Sequence, residues 1–389
     1  MKLITSIACL FLLGFLATSC KTEYYPKVQS PSSGYLVVEG FINGSDSPTA
    51  ITLSRTLKIY NDSVVDNREH NAMINIEGEN NESFPLYETG DGVYTSSSLQ
   101  LSSNEKYRLK IKTANGKEYV SNYSEYRSTP AIDSLSWIRN NDGVKIYINT
   151  HSDQNEVGYY YWKYEETWEY HAPFYSSLVF IVDKDTHVVI GVRYKYKDHH
   201  ADSANHVCWK DIVSSNIITG SSKMLSSDHI YFPVMSIPAA DQKLGVLYSI
   251  IVKQYSISEE AYSYLQKLKK NTEEIGSIFA AQPTEITGNI HCTTNPSERV
   301  IGFVEVSQEK EKRIFISNKE VPGWNYDDGC RQYLIHNNPD ELKNKTGGLF
   351  PTVPFDATPV SINSFYATPD NNCIDCSFNG SNIKPSFWP

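Results

Sequence analysis

Stretches in which apolar and polar residues alternate occur along most of the chain. Alternation with a period of two places every second side chain on the same side of an extended backbone, so it predicts half-buried β-strands. The clearest stretches lie at 36–42, 72–77, 107–112, 132–137, 144–148 and 312–316. The dipeptide Asn115-Gly116, between two β-like stretches, is the strongest hairpin signal. The pattern therefore predicts a mainly β protein.

Turn-rich segments divide these strands into two groups. The first group occupies residues 35–129, with seven or eight predicted strands, and ends at Ser128-Thr129-Pro130. The second group occupies residues 130–321. Many short strands separated by turns are typical of immunoglobulin and fibronectin-III sandwiches. We therefore expect two such β-sandwiches, one after the other.

The second predicted sandwich contains a long insertion. Its aromatic strand at 158–165 is expected to pair with the continuous apolar run at 245–252. Between them, region 165–235 contains a β-like run at 178–182 and several polar loops. We expect this region to be a surface elaboration of the sandwich.

One short helix and a tail complete the predicted fold. Ser256-Ile257-Ser258-Glu259 has the pattern of a capping box, which predicts a helix over 257–270. Residues 322–389 are rich in Asn, Asp, Gly and Pro and contain few long apolar runs. This composition indicates a loop-rich tail that wraps the second sandwich and is held by disulfides.

The first twenty residues have the pattern of a lipoprotein export signal. Lys2 precedes an apolar run at 4–16, and the small residues Ala17-Thr18-Ser19 stand directly before Cys20. The run is shorter than the roughly 20 residues that a membrane-spanning helix needs. We therefore expect a signal peptide at 1–19, a lipid on the Cys20 thiol that anchors the chain to a membrane, and a tether at 20–34.

Composition and charge narrow the function classes. The chain has 27 Tyr, 15 Phe and 6 Trp but 4 Met, a mixture that favours exported β-proteins over helical bundles. Its net charge is −10, and Lys and Arg are scattered among acidic residues. Because a phosphate backbone needs a basic surface, we expect no nucleic-acid partner.

Five cysteines remain after Cys9 leaves with the signal and Cys20 is acylated. An odd number cannot all pair, so one or two disulfides and one buried thiol are expected. We expect Cys208, beside Trp209, to be the unpaired residue. The candidates for disulfides, with connectivity left open, are Cys292, Cys330, Cys373 and Cys376. The spacing Cys373-Ile374-Asp375-Cys376 also fits a redox pair or a metal site, but no thioredoxin-like pattern surrounds it.

Two clusters are candidates for recognition or chemistry. The aromatic residues Trp168, Tyr170, Phe174 and Tyr175 are candidates for an exposed surface that stacks on a glycan or binds a peptide, and the alternative is that they pack in the core. The residues His199, His200 and His206 are weak candidates for metal ligands. Because they follow a polar stretch that reads as a loop, we expect solvated histidines and neither a metal nor another cofactor.

Common catalytic motifs are absent from the sequence. It contains no Gly-x-Ser-x-Gly elbow, His-Glu-x-x-His pair, Walker loop or dinucleotide fingerprint. We therefore expect a non-enzymatic protein. The alternatives are an envelope hydrolase of glycans or peptides, with carboxylates or a metal in region 165–235, and a surface adhesin or structural module.

Several motifs resemble those of a family of Bacteroidetes envelope lipoproteins, the domain of unknown function 4249. The early ones are Val37-Val38-Glu39-Gly40-Phe41-Ile42, Gly92-Val93-Tyr94, Tyr107-Arg108-Leu109, Gly116-Lys117-Glu118-Tyr119 and Ile132-Asp133-Ser134-Leu135. The later ones are Gln282-Pro283, Gly288-Asn289-Ile290, Cys373-Ile374-Asp375-Cys376, Gly380 and Lys384-Pro385-Ser386-Phe387-Trp388.

The resemblance implies an outer-membrane lipoprotein that assists a TonB-dependent receptor in ligand capture or nutrient uptake. It implies no catalytic residues, because the family offers none. Lys21-Thr22-Glu23 has one acidic residue, whereas surface-exported members often have several after the lipidated cysteine. Both the periplasmic and the cell-surface face of the membrane therefore stay open.

Overall fold

The structure is a computed structural model that describes residues 34–57, 66–153, 157–273, 286–324, 326–358 and 360–389. The expected signal peptide at 1–19, the lipidated Cys20 and all but the last residue of the expected tether lie outside these residues. Within them, the chain forms twenty-four β-strands and two α-helices. The fold is therefore mainly β, as predicted.

Eight strands near the N-terminus and three short strands later in the chain belong to one sheet. The early strands are β1 Leu36–Asn43, β2 Pro48–Arg55, β3 Met73–Gly78, β4 Ser83–Gly90, β5 Val93–Ser98, β6 Lys106–Lys112, β7 Glu118–Ser121 and β8 Ser124–Arg127. The later ones are β18 Ile290–Cys292, β19 Val300–Gly302 and β20 Val306–Ser307.

This sheet closes on itself. Its ring runs β6-β3-β4-β5-β2-β1-β20-β8, and β8 pairs back onto β6. Large apolar side chains fill the interior, so the ring encloses a packed core. They include Leu36, Ile51, Leu53, Ile76, Tyr94, Tyr107 and Tyr119. The described residues thus form an eight-stranded barrel-like sheet, which corrects the expectation of an immunoglobulin-type sandwich here. We call this part the barrel.

The barrel is completed by residues far along the chain. Strand β20 fills the gap between β1 and β8 and is parallel to both, while β19 pairs with β1 and β18 with β7. Each of these closing strands has only two or three residues, too few for an alternation pattern. The return of the chain to the barrel was therefore not anticipated.

A second part consists of two sheets. A three-stranded sheet contains β9 Ile132–Arg139, β10 Gly143–His151 and β16 His229–Pro238, in the order β16-β10-β9. A five-stranded sheet contains β11 Tyr159–His171, β14 Val207–Val213, β15 Ile218–Ser221, β17 Leu247–Ser256 and β21 Lys310–Ser317.

These two sheets share one hydrophobic core. Val144 and Ile148 of β10 pack in the same cluster as Trp162 of β11 and Ile250 of β17. The predicted pairing of the aromatic strand with the apolar run is confirmed, since β11 and β17 pair antiparallel. Region 165–235 contributes β14, β15 and β16 to these sheets, so it supplies strands as well as surface loops.

A third cluster involves the C-terminal residues. The strands β22 Tyr333–His336, β23 Phe350–Ala357 and β24 Ile362–Thr368 form a sheet, and the second helix spans Pro339–Lys345. Phe365 and Leu342 pack against a hairpin of β12 Leu178–Val182 and β13 Val189–Tyr194. The predicted loop-rich tail therefore contains a small sheet with its own core.

The first helix, α1, spans Glu259–Glu273 and begins two residues later than predicted. Strand β17 continues to Ser256, so Ser258 instead accepts a hydrogen bond from the Ala261 N–H at 3.0 Å and caps the helix. Ala261 packs with Tyr161 and Tyr255, close to Phe41 of the barrel. The helix thus helps to join the barrel to the second part.

The second helix, Pro339–Lys345, is called α2. Short 3-10 helices lie at Gln242–Leu244, Asn318–Glu320, Asn371–Cys373 and Cys376–Phe378. Neither α-helix of the described part of the chain has the length and apolar character needed to cross a bilayer.

Candidate functional site

The disulfides join the C-terminal segment to itself and to β14. Cys208 pairs with Cys376 and Cys330 pairs with Cys373, whereas Cys292 is a buried free thiol. The expectation that Cys208 is the unpaired cysteine was wrong. Cys208 lies on β14 beside the tail, while Cys292 lies on β18 among the barrel core residues. Because Cys373 and Cys376 bond to different partners, they do not form a redox pair.

The aromatic residues predicted to be exposed are divided between core and surface. Trp168 and Tyr170 are buried in the second part, and the Tyr170 hydroxyl donates to the Cys376 carbonyl at 2.6 Å. Phe174 is half-buried and Tyr175 is exposed. Strand β11 runs to His171, beyond its predicted end, so Trp168 and Tyr170 keep the inward orientation of Trp162. The predicted recognition surface is therefore wrong for Trp168 and Tyr170.

The three candidate metal-ligating histidines each stack on a different tyrosine. The ring centroids are 3.7 Å apart for His199 and Tyr194, 4.1 Å for His200 and Tyr196, and 3.9 Å for His206 and Tyr175. Burial and the nearby His171 lower the pKa of His206. No three His, Cys, Asp or Glu side chains come together as a metal site among the described residues.

A polar and aromatic surface lies on the outer side of the three-stranded sheet. Val144, Ile146 and Ile148 of β10 point into the core, so the alternate residues of that strand point outward. The outward residues that define this sheet face are Ser134, Ser136, Lys145, Tyr147, Asn149, His151, His229, Tyr231 and Pro233. Because the other side of the sheet is packed core, these side chains are held on a rigid support.

Two tyrosines form the aromatic part of the sheet face. The rings of Tyr147 and Tyr231 are parallel to within 1°, with centroids 4.7 Å apart. They lie on adjacent strands, where Asn149 is directly opposite Tyr231. Tyr231 is 54% exposed, so the stacked pair presents an apolar surface to solvent.

A row of hydrogen-bonding side chains lies next to the tyrosines. The His151 imidazole contacts the Asp133 carboxylate at 2.7 Å, and the His229 Nε2 contacts the Asn149 Oδ1 at 2.8 Å. The rings of His151 and His229 meet edge to face at 6.3 Å. The hydrogen bond from His151 to Asp133 raises the pKa of this histidine. The row therefore offers both donors and acceptors at fixed positions.

Two hollows lie near this row. One, of about 560 Å³, is bordered by Asp133, His151 and His229. The other, of about 630 Å³, lies between the barrel and the second part. Ser152 and Asp228 line both hollows, so the two are adjacent at that point.

The residues of the sheet face carry no motif that marks them as a site in the sequence. The alternation at 144–148 indicated which residues would be buried, and the same pattern marks Lys145 and Tyr147 as exposed. Strand β16, which supplies His229 and Tyr231, was not predicted, because Pro233 and Pro238 interrupt its pattern. A third of the residues that define the sheet face therefore lie on a strand without a recognisable signal.

Comparisons with known proteins give a family without an assigned activity. Residues 21–313 match the model of the domain of unknown function DUF4249, well over half of the chain. The C-terminal motifs that resemble this family, from Cys373 to Trp388, lie beyond the matched residues. No curated protein matches the chain.

Among solved structures, one similar chain is a candidate carbohydrate-binding protein from Bacteroides uniformis. It shares 9% sequence identity, with 52% of this chain and 98% of that chain covered, at a TM-score of 0.12. So low a TM-score carries no argument about fold or ligand. The extent of the family match is sufficient by itself, and the chain belongs to the DUF4249 family.

Proposed function

We propose that this protein is a non-enzymatic lipoprotein, anchored in the outer membrane through Cys20, that assists a TonB-dependent receptor by capturing its ligand on the sheet face. The lipid signal at 1–20 and the resemblance to envelope lipoproteins support the location and the partner. The sheet face supports the capture of a ligand. It combines stacked aromatic rings with fixed hydrogen-bonding groups, as small-molecule binding sites do.

The observation that carries the binding role is the pair Tyr147 and Tyr231 beside the row of His151, His229 and Asn149. All these residues belong to two adjacent strands, β10 and β16. Groups on a strand backed by core lose little freedom when a ligand binds. The arrangement therefore suits recognition without a large structural change.

Affinity purification from the native outer membrane tests the role of the protein. A tag can be attached through a flexible linker after Pro389, which is exposed. A TonB-dependent receptor that co-purifies in stoichiometric amounts supports the proposal. A Cys20→Ala variant is the control, because it should leave the membrane fraction and recover less receptor. A lipoprotein that purifies alone contradicts the accessory role and favours an adhesin.

An envelope hydrolase is the second candidate function. The hydrogen bond between Asp133 and His151 resembles the pairing of an orienting carboxylate with a general base. Under this alternative, His151→Gln would abolish hydrolysis of glycan or peptide substrates by the purified protein. Stoichiometric zinc in the purified protein would also favour the hydrolase.

A further inference from the structure

The hollow between the barrel and the second part is lined by the ends of four strands. Arg127 ends β8, and Ser152 follows β10. Gly158 precedes β11, and Asp228 precedes β16. We call this hollow, together with the adjacent one at His151, the junction groove. Asn149, directly opposite Tyr231, and His229 line the hollow at His151, so an extended ligand held by Tyr231 can reach this groove.

Asp228 occupies the middle of the junction groove. Its Oδ2 accepts a hydrogen bond from the Tyr160 hydroxyl at 2.6 Å, and its backbone carbonyl accepts one from the Ser152 N–H at 3.0 Å. Its Oδ1 is buried and has no hydrogen-bond partner among the described residues. A buried carboxylate oxygen without a donor is costly, so this atom is suited to accept a hydrogen bond from a ligand.

Gly158 allows this position of the carboxylate. A Cβ atom on residue 158 would lie 2.5 Å from Asp228 Oδ1 and 2.6 Å from Oδ2. The carboxylate thus lies directly against the backbone at the start of β11. The Asp228 carboxylate can come this close only because residue 158 is a glycine and has no side chain.

Arg127 supplies a complementary group on the barrel side. Its Nε is buried and has no hydrogen-bond partner among the described residues, although it forms an ion pair with Glu305 Oε1 at 4.0 Å. The groove therefore offers an acceptor on Asp228 and a donor on Arg127. Hydroxyl groups, which donate and accept, can satisfy both.

We propose that the junction groove binds a neutral oligosaccharide, with sugar hydroxyls donating to Asp228 Oδ1 and one sugar ring lying against the Tyr147–Tyr231 pair. The proposal rests on the proposed function and names the ligand class of the same site. Serine hydroxyls at Ser128, Ser152 and Ser256 add further small hydrogen-bonding groups to the lining.

Strand addition by a peptide is disfavoured at this sheet. Its edge strand β16 contains Pro233 and Pro238, which lack the N–H needed to pair with another strand. At the other edge, the Lys312 ammonium donates to the carbonyls of Ile132 and Asp133, at 3.2 and 2.6 Å. The sheet edges thus have few free backbone groups with which a peptide could pair, whereas the side chains of the sheet face suit a glycan.

The charge of the groove favours a neutral glycan over an acidic one. Asp133, Asp153 and Asp228 all line it. The facing basic groups are Arg127 and the imidazoles of His151 and His229. A uronic acid or a sulfate ester would be repelled by the three carboxylates.

Isothermal titration calorimetry of the lipoprotein, purified in mild detergent, tests this proposal. The probes are maltohexaose, cellohexaose, xylohexaose and mannohexaose, with hexagalacturonate as an acidic glycan and a Gly-Ser hexapeptide. We expect at least one neutral hexasaccharide to bind and Asp228→Asn to weaken that binding about tenfold or more, since a neutral amide replaces the charged acceptor. Asp142→Asn, an exposed aspartate at the other end of the same sheet, should bind as the natural protein does.

A second variant covers the case in which Asp228→Asn does not fold. Tyr160→Phe keeps the buried ring and removes the hydroxyl that orients Asp228, so it should also weaken binding of the hexasaccharide. The proposal is overturned if no neutral hexasaccharide binds, if only hexagalacturonate or the peptide binds, or if both variants bind as the natural protein does.

The two proposals can fail separately. Co-purification of a receptor without any oligosaccharide binding would refute the glycan groove and leave the accessory role. Oligosaccharide binding that depends on Asp228, without a co-purifying receptor, would support the groove and refute the accessory role.

Discussion

The indole of Trp388 donates a hydrogen bond to the carboxylate of Glu169 at 3.0 Å, although the two residues are 219 positions apart. Trp388 also packs edge to face on Trp209 of β14 and Phe315 of β21. Nearby, Ser381 and Trp209 exchange two backbone hydrogen bonds, at 2.8 and 2.9 Å. The C-terminus is thus fixed to the five-stranded sheet by both its backbone and its side chains.

Trp388→Ala is therefore expected to destabilise the protein. Trp388 is 6% exposed, and loss of a buried tryptophan costs about 3–5 kcal/mol. Thermal unfolding followed by circular dichroism measures the change. Phe378→Ala is the matched control, because Phe378 is 61% exposed and its loss should alter the unfolding free energy by less than about 0.5 kcal/mol. Equal effects of the two substitutions would contradict the role of Trp388.

Removal of the two disulfides should have unequal effects. Cys208 and Cys376 are separated by 168 positions, and Cys330 and Cys373 by 43. Loss of loop closure in the unfolded chain predicts a cost of about 5 kcal/mol for the longer loop and about 4 kcal/mol for the shorter one. Urea unfolding of Cys208→Ser/Cys376→Ser and Cys330→Ser/Cys373→Ser tests this order.

The free thiol provides a check on the disulfide assignment. In the chain with a lipidated Cys20, a thiol reagent should label Cys292 in denaturant and leave it unlabelled in the folded state, since it is buried. Labelling of Cys208 instead would refute the observed connectivity.

Glu305 should make stability depend on pH. It is buried between the barrel and α1, where its carboxylate accepts a hydrogen bond from the Ser258 N–H at 3.0 Å. Burial raises the pKa of Glu305 above its ordinary value of 4.5. The folded state therefore binds this proton more tightly than the unfolded state. The resulting stabilisation is fully present below pH 4.5 and is lost as the pH rises through the folded-state pKa.

Glu305→Gln removes the titration and keeps a hydrogen-bond acceptor. The free energy of unfolding of this variant, relative to the natural protein, should increase from pH 4 to pH 7. Urea unfolding at several pH values between these limits measures the difference. A difference that stays constant with pH would show that Glu305 does not titrate in this range.

A substitution on the sheet face should weaken ligand binding without lowering the stability of the protein. Tyr231→Ala should weaken binding of the neutral hexasaccharide about two- to tenfold, because one aromatic face is lost. The unfolding free energy should change little, since Tyr231 is exposed. Tyr87→Ala on the barrel, where Tyr87 is 69% exposed, is the matched control and should bind normally. Unchanged affinity of the Tyr231→Ala variant would remove the sheet face from the binding site.

Alternating patterns were enough to predict the strand type and several boundaries. The stretch at 144–148 lies within β10, and 107–112 lies within β6, because burial on one side imposes the period of two. Trp168 and Tyr170 were misplaced because aromatic residues on both sides of β11 conceal where that strand ends. The length of the strand decides whether they belong to the core or to the surface.

Contacts between distant positions account for the other differences. Cys208 meets Cys376 only because the tail follows the edge of β14, and no local pattern encodes that path. Likewise, Asp228 and Arg127 share a groove because the barrel and the second part meet there. Contacts of this kind depend on the complete fold and leave no local pattern in the sequence.

Closure of the barrel by β20 has a consequence for the order of folding. When residues up to 130 have emerged during synthesis, β1 and β8 still lack the strand that lies between them. Their backbone groups remain available to other chains until residue 307 appears, after most of the second part has been made. Unpaired strand edges of this kind promote aggregation. The nascent chain therefore passes through a long interval in which these strand edges are unpaired, and a fragment ending near residue 130 would retain the unpaired edges permanently.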